Sequence, residues 1–208
     1  MNIPAEFDEI RPYAPEELPQ VYEELIADPM FQAVVAQVMP GIPFDMLAAQ
    51  MRQCKTNLDF QKAFFYKLLK ELVQKCAKGI DFDCSAIQDK DNHYTFISNH
   101  RDIILDAAFL DVLLVDEGMN TVEIAIGDNL LIYPWIKKVV RINKSFIVKR
   151  GLSLREQLQS SILMSKYMHF AATEKKENIW IAQRQGRAKD SNDRTQDSIL
   201  KMMTMAGE

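Results

Sequence analysis

Four short runs rich in β-branched and aromatic residues constrain this chain most: residues 94–98 (YTFIS), 122–126 (VEIAI), 145–148 (SFIV) and 178–182 (NIWIA). Each is followed by sequence with helical character, and that alternation predicts an α/β sheet with helices between its strands. The chain has 208 residues and 48% apolar content, enough to fill the core such a sheet requires.

The first ninety residues read differently. Leu18, Val21, Tyr22 and Leu25 recur at three- and four-residue steps, as do Phe60, Ala63, Phe64, Leu68 and Leu72. Pro40 and Pro43 divide the region into separate helices. The expected organisation is therefore a helical N-terminal region over residues 1–90 packed on an α/β domain over 91–208, with residues 80–91 as the joint.

A net charge of −4 gives no general drive toward nucleic acid, whose binding rests on excess positive charge displacing counterions. Cys54, Cys76 and Cys84 are odd in number and lack the paired short spacings of zinc sites, so neither a disulfide framework nor a metal cluster is expected. The acidic start MNIPAEFDEIRPYAPEE has no apolar stretch of the signal-peptide kind, and no later run is long enough to span a bilayer. The expected location is cytoplasmic, with any membrane contact peripheral.

Where the first β run stops, Asn99, His100, Arg101 and Asp102 precede a helical pattern built on Ile103, Ile104, Ala107, Leu110 and Leu113. Strand ends that feed helix starts are where α/β folds gather ligands. A histidine there accepts a proton from an attacking hydroxyl near neutral pH when a carboxylate fixes its tautomer. Asp102 and Asp106 are the two candidates, and Asp102 has a competing role as the cap of the following helix. His93 and His169 have no carboxylate or cysteine at ligand spacing and read as structural or solvated.

Two later strand ends carry cations. From Lys137 through Arg155 there is no acidic residue, and the run SFIV ends in Lys149 and Arg150. Such clustering fits a solvated basic face or a phosphate clamp, and Tyr133 and Trp135 beside Lys137 suit a membrane interface. The run NIWIA leads into a loop with Arg184, Gln185, Gly186, Arg187 and Lys189, followed by a helix expected to start at residues 191–193.

The blocks NHRDIILD, GDNLLIYP, SFIVKR and RQGRAKD resemble, in order and spacing, those of the glycerol-3-phosphate and lysophosphatidate acyltransferases, over about residues 95–196. The corresponding family blocks run roughly HRSxxD, GDNLNxP, FFIRR and EGGRSR. The resemblance implies the glycerolipid-acyltransferase type of α/β fold and transfer of a fatty acyl group from an acyl-CoA or acyl-carrier-protein thioester to a glycerol-phosphate hydroxyl. His100 would be the base and Asp106, or else Asp102, its orienting partner. Arg101, Lys149, Arg150, Gln185, Gly186, Arg187 and Lys189 would hold the substrate, with no metal or bound cofactor required.

The chain departs from the family pattern in three ways. Five residues separate His100 from Asp106 where the family has four; Gln185 stands where the third block has glutamate; and the sequence stops at MMTMAGE, read as a shortened family domain. No serine or cysteine adjoins His100 in its block, so direct transfer without an acyl-enzyme is expected. The rival readings are a peripheral membrane or carrier-protein binding module without turnover, and an acyltransferase for another amphiphilic acceptor such as an aminolipid.

Overall fold

The computed structural model describes residues 2–206. After two short 3₁₀ turns (Ala5–Phe7 and Pro15–Glu17), the N-terminal part forms α1 (Leu18–Ile26), α2 (Pro29–Val38), α3 (Phe44–Gln53), α4 (Asn57–Phe60), a π turn (Gln61–Tyr66) and α5 (Lys67–Cys76). The starts are set locally. Asp28 accepts from the backbone N–H groups of Met30 and Phe31, and Thr56 caps α4 in a reciprocal pair with Asp59. Pro40 and Pro43 fall between α2 and α3, as expected.

The remainder alternates: β1 (Thr95–Ser98), α6 (Leu105–Asp116), β2 (Val122–Gly127), α7 (Pro134–Ile142), β3 (Ser145–Val148), α8 (Leu154–Thr173), β4 (Asn178–Ala182) and α9 (Asp197–Thr204). All strand pairs are parallel and the order is β1-β4-β2-β3, so the sheet is α/β and each strand lies within one residue of its sequence reading. With every strand pointing the same way, the β1–α6, β2–α7, β3–α8 and β4–α9 junctions lie at one end of the sheet.

Two helix starts differ from the sequence reading. α6 begins at Leu105, leaving Ile103 and Ile104 exposed ahead of it, because Asp102 turns the chain there with its own side chain. α9 begins at Asp197 and not at residues 191–193, because Asp193 and Thr195 are engaged with Gln183 across the preceding loop.

The helical region buries its apolar stripe on the α/β part. Leu18, Tyr22, Leu25, Phe31 and Phe60 share a core with Ile142, Trp135 and Val139 of α7. At the π turn, the buried Gln61 donates to Asp111 Oδ2 (3.3 Å) and accepts from the Thr121 hydroxyl (2.7 Å), tying the two regions through hydrogen bonds as well. The first residues of the chain belong with the α/β core. Phe7 packs on Tyr167 and Phe170 of α8, and Ile10 accepts from Ile147 N–H (2.8 Å), covering the outer edge of β3.

Candidate active site

The strand β1 runs out at Ser98, and two residues later His100 is held by its backbone on both sides. Its N–H donates to Asp193 Oδ2 (2.9 Å) and its carbonyl accepts from Ala188 N–H (2.7 Å), both from the loop after β4. The ring lies edge-on to Trp180 of β4, with centroids 6.2 Å apart.

Asp106, in the first turn of α6, meets His100 Nδ1 through Oδ2 at 3.0 Å. The same oxygen accepts from the N–H groups of Arg101 (2.8 Å) and Asp102 (3.1 Å). Asp102 is the capping residue: its Oδ1 accepts from Ile104 N–H (2.9 Å) and Leu105 N–H (2.8 Å), which holds its carboxyl below the usual range. In this turn Ile103 and Ile104 face outward. Of the two candidate partners, Asp106 contacts the ring and Asp102 builds the helix entry.

With Nδ1 occupied by a carboxylate, Nε2 is the nitrogen left to take a proton. His100 lines a cavity of about 350 Å³ together with Gly127, Asn129, Arg150, Trp180, Arg184, Gln185, Gly186 and Arg187. Residues from three of the predicted blocks and from the GDN segment thus meet in one cleft. Arg150 and Arg187 carry no ion pair among the described residues and are exposed, so both are available to an anion.

The GDN segment holds Arg150 in position. Asp128 Oδ1 accepts from Arg150 N–H at 3.0 Å, and a Cβ on Gly127 would fall 2.5 Å from Asn129 Oδ1 and 3.4 Å from Arg150 Nε. A side chain at this position would require Asn129 to move. Gly186 sits at φ +74°, in the left-handed region, and so allows the loop to turn between Gln185 and Arg187.

Three residues expected at the substrate lie elsewhere. Lys149 pairs with Glu9 at 2.6 Å and lines a neighbouring cavity, which Arg150 also lines, with Ser160, Ser161 and Met164. Arg101 turns away to donate to the Asp190 carbonyl (2.6 Å). Lys189 is exposed on the outer loop and does not line the His100 cavity.

Two residues that the sequence reading named but did not assign to the site lie at the cleft. Arg184 lines both the His100 cavity and its neighbour, 3.9 Å from Asp193 Oδ1. The Asp193 side chain is 1% exposed, and that oxygen has no hydrogen bond. Burial pushes the Asp193 carboxyl up, but the His100 N–H and the nearby Gln183 and Arg184 more than offset it and hold it low. Arg184 was visible as another loop cation, whereas nothing local in the sequence links Asp193 to His100, ninety-three residues away.

An apolar cavity of about 130 Å³ adjoins the cleft, sharing Ile103 and Ile126 with it and running between α6, β2 and the π turn. Its far wall carries Gln61, Asp111 and Thr121. Burial pushes the Asp111 carboxyl up to about 7, against the opposing effects of Val122 N–H and Lys144. Among the described residues no three His, Cys, Asp or Glu side chains converge as metal ligands. Compared with known protein families and with curated protein sequences, the chain gives no significant match.

Proposed function

We propose that this protein is a glycerolipid O-acyltransferase that moves a fatty acyl group from a thioester to the hydroxyl of a phosphate-bearing acceptor. The observation that carries the reading is the convergence of the His100–Asp106 pair with Arg150 and Arg187 in one cleft beside an apolar cavity. The cations bind the acceptor phosphate and the apolar cavity takes the acyl chain.

The acceptor hydroxyl gives its proton to His100 Nε2 as its oxygen forms a bond to the thioester carbonyl carbon. Asp106 stabilises the imidazolium that results. Collapse of the tetrahedral intermediate breaks the C–S bond, and the departing thiolate takes the proton from His100. The glycerol-phosphate class fits two arginines and a base in a cleft of this size, and acyl-CoA or acyl-carrier protein supplies the thioester.

A second reading, a binding module that keeps the fold without turnover, is favoured by Gln185. It lines the cleft as a neutral amide where the family that the sequence resembles has a carboxylate, and its backbone N–H is tied to Gln196 Oε1 (2.8 Å). The two readings separate in an acyl-transfer assay with labelled acyl-CoA or acyl-carrier protein and a panel of glycerol phosphate, lysophosphatidate and aminolipid acceptors. Transfer by the wild type, lost by about 10²- to 10⁴-fold in His100→Ala with the fold intact, is the expected result. Equal transfer by both proteins would remove His100 from the mechanism, and no transfer by either would favour the binding module.

A further inference from the structure

The helical N-terminal region holds an apolar cavity of about 180 Å³ that the proposed chemistry does not use. Its wall is built from α2 to α5, the π turn and α7, and six of its lining residues are aromatic: Phe31, Phe44, Phe60, Phe64, Phe65 and Trp135. No charged residue lines it. Trp135 is the one lining side chain with a strong hydrogen-bond donor, and its Nε1 is buried without a partner.

This cavity is distinct from the one assigned above to the acyl chain. Among the described residues their linings share Phe65 alone, and no residue that lines the His100 cleft lines this cavity.

An apolar void gives water none of the polar partners it needs, and one of roughly 150 Å³ lined by apolar side chains stays dry and takes a molecule the size of benzene. Left empty, such a void weakens the core around it. This one reaches the surface, since Val38 and Leu68 of its lining are 57% and 39% exposed. An occupant has to pass between α2 and α5, fill volume beneath the surface and need no hydrogen bond once inside. A single hydrocarbon chain meets all three conditions. Met39 and Met51, unbranched and adaptable, let the wall close around it. The face of a folded partner would cover Val38 and Leu68 and leave the volume beneath them empty.

We infer that this cavity is a second ligand site, which takes the hydrocarbon chain of a single-chain amphiphile such as a fatty acid and leaves the head group in solvent beside Val38 and Leu68. The site stands on the shape and chemistry of the helical region and holds whether or not the His100 cleft turns over.

The two tryptophans of the chain make the test local, because Trp135 lines this cavity and Trp180 lines the His100 cleft. The probe is ω-brominated dodecanoate below its micelle-forming concentration, whose bromine quenches an indole that it touches. In Trp180→Phe the remaining emission is that of Trp135, and the expected result is saturable quenching, with a melting temperature that rises with probe concentration. Val34→Phe and Val35→Phe, each added to that background, fill the cavity from α2. Each is expected to weaken binding at least about 10-fold, as the exclusion of two methylene groups implies. His100→Ala in the same background is quenched as its parent is, which separates this site from the proposed chemistry.

No quenching of Trp135, or quenching confined to Trp180 in the Trp135→Phe protein, overturns the inference. So does undiminished quenching in whichever cavity-filling variant melts as cooperatively as its parent. A dimer in solution that the probe leaves intact and Val38→Ser converts to monomer overturns it as well, since a second copy of the chain would then cover the opening.

Discussion

Replacing Asp106 by asparagine separates its charge from its geometry. One oxygen, Oδ2, takes all three principal donors: His100 Nδ1 at 3.0 Å, Arg101 N–H at 2.8 Å and Asp102 N–H at 3.1 Å. An asparagine that places its oxygen there keeps every one of them, and its NH₂ group meets only Asp102 N–H, 3.2 Å from the present Oδ1. The ring stays oriented and protonated on Nδ1, and only the negative charge is lost. At an effective dielectric of about 20, a unit pair 3.0 Å apart gains at most ~5.5 kcal/mol, and partial exposure of both groups (16% and 17%) reduces this to roughly 3 kcal/mol. Asp106→Asn is therefore expected to lower kcat about 100-fold. Asp106→Ala, which also frees the ring and strips two N–H groups of their acceptor, lowers it by a further ~10-fold or more. Turnover kinetics with a soluble acceptor measure both, and imidazole ¹⁵N shifts report the tautomer. An Asn variant with wild-type kcat would refute charge stabilisation by Asp106, and one that loses the Nδ1–H tautomer would refute the geometric argument.

Arg187 lines only the His100 cavity, Lys149 only its neighbour, and Arg150 both. Arg150→Ala and Arg187→Ala are expected to raise KM for a phosphorylated acceptor by about 10- to 100-fold with little change for the acyl donor, as loss of a charge-assisted contact implies. Lys149→Ala, which loses only its exposed pairing with Glu9, is expected to change acceptor KM less than about threefold. A larger effect at Lys149 than at Arg187 in steady-state kinetics would reverse the assignment. For Asp111, the folded pKa of about 7 lies above its ordinary 3.8, so the folded state holds more protons than the unfolded state across that interval. Its contribution is fully favourable below the unfolded value and is lost as pH rises through about 7, to a limit of roughly 4 kcal/mol. Urea denaturation as a function of pH should show this slope, and Asp111→Asn should flatten it; an unchanged slope would assign the pH dependence to other groups.

The strands were legible because each is a short apolar run bounded by polar or turn-forming residues, and a buried parallel strand needs little more than that. The helical N-terminal region was legible from its periodicity, but its attachment was not: Gln61 meets Asp111 and Thr121 through a π turn, a local change of register that no period of 3.6 reveals. At the cleft, His100, Arg150 and Arg187 of the sequence reading line one cavity, and each follows a strand end. Lys149 lines only the neighbouring cavity while Arg150 lines both, and charge alone does not distinguish the two positions. The choice between Asp102 and Asp106 turned on the shape of one helix entry. In the structure Asp106 contacts the His100 ring, while Asp102 accepts from the Ile104 and Leu105 N–H groups.

The least legible feature is the one that couples the parts. His100 is bonded at its N–H to Asp193 and at its carbonyl to Ala188, while Arg101 reaches the Asp190 carbonyl. The loop that makes these bonds is the one that carries Arg184 and Arg187 into the cleft. The same loop is closed on itself by Gln196 N–H donating to the Gln183 carbonyl and by Thr195 donating to the Gln183 side chain. A shift of this loop therefore displaces the base and two cations together. Asp193 adds a direct link, since its bonded oxygen holds the His100 backbone while its free oxygen lies 3.9 Å from Arg184 Nη1. The position of His100 and that of the two cations are thus tied to one loop, in part through a buried carboxylate that lies against both the His100 backbone and Arg184.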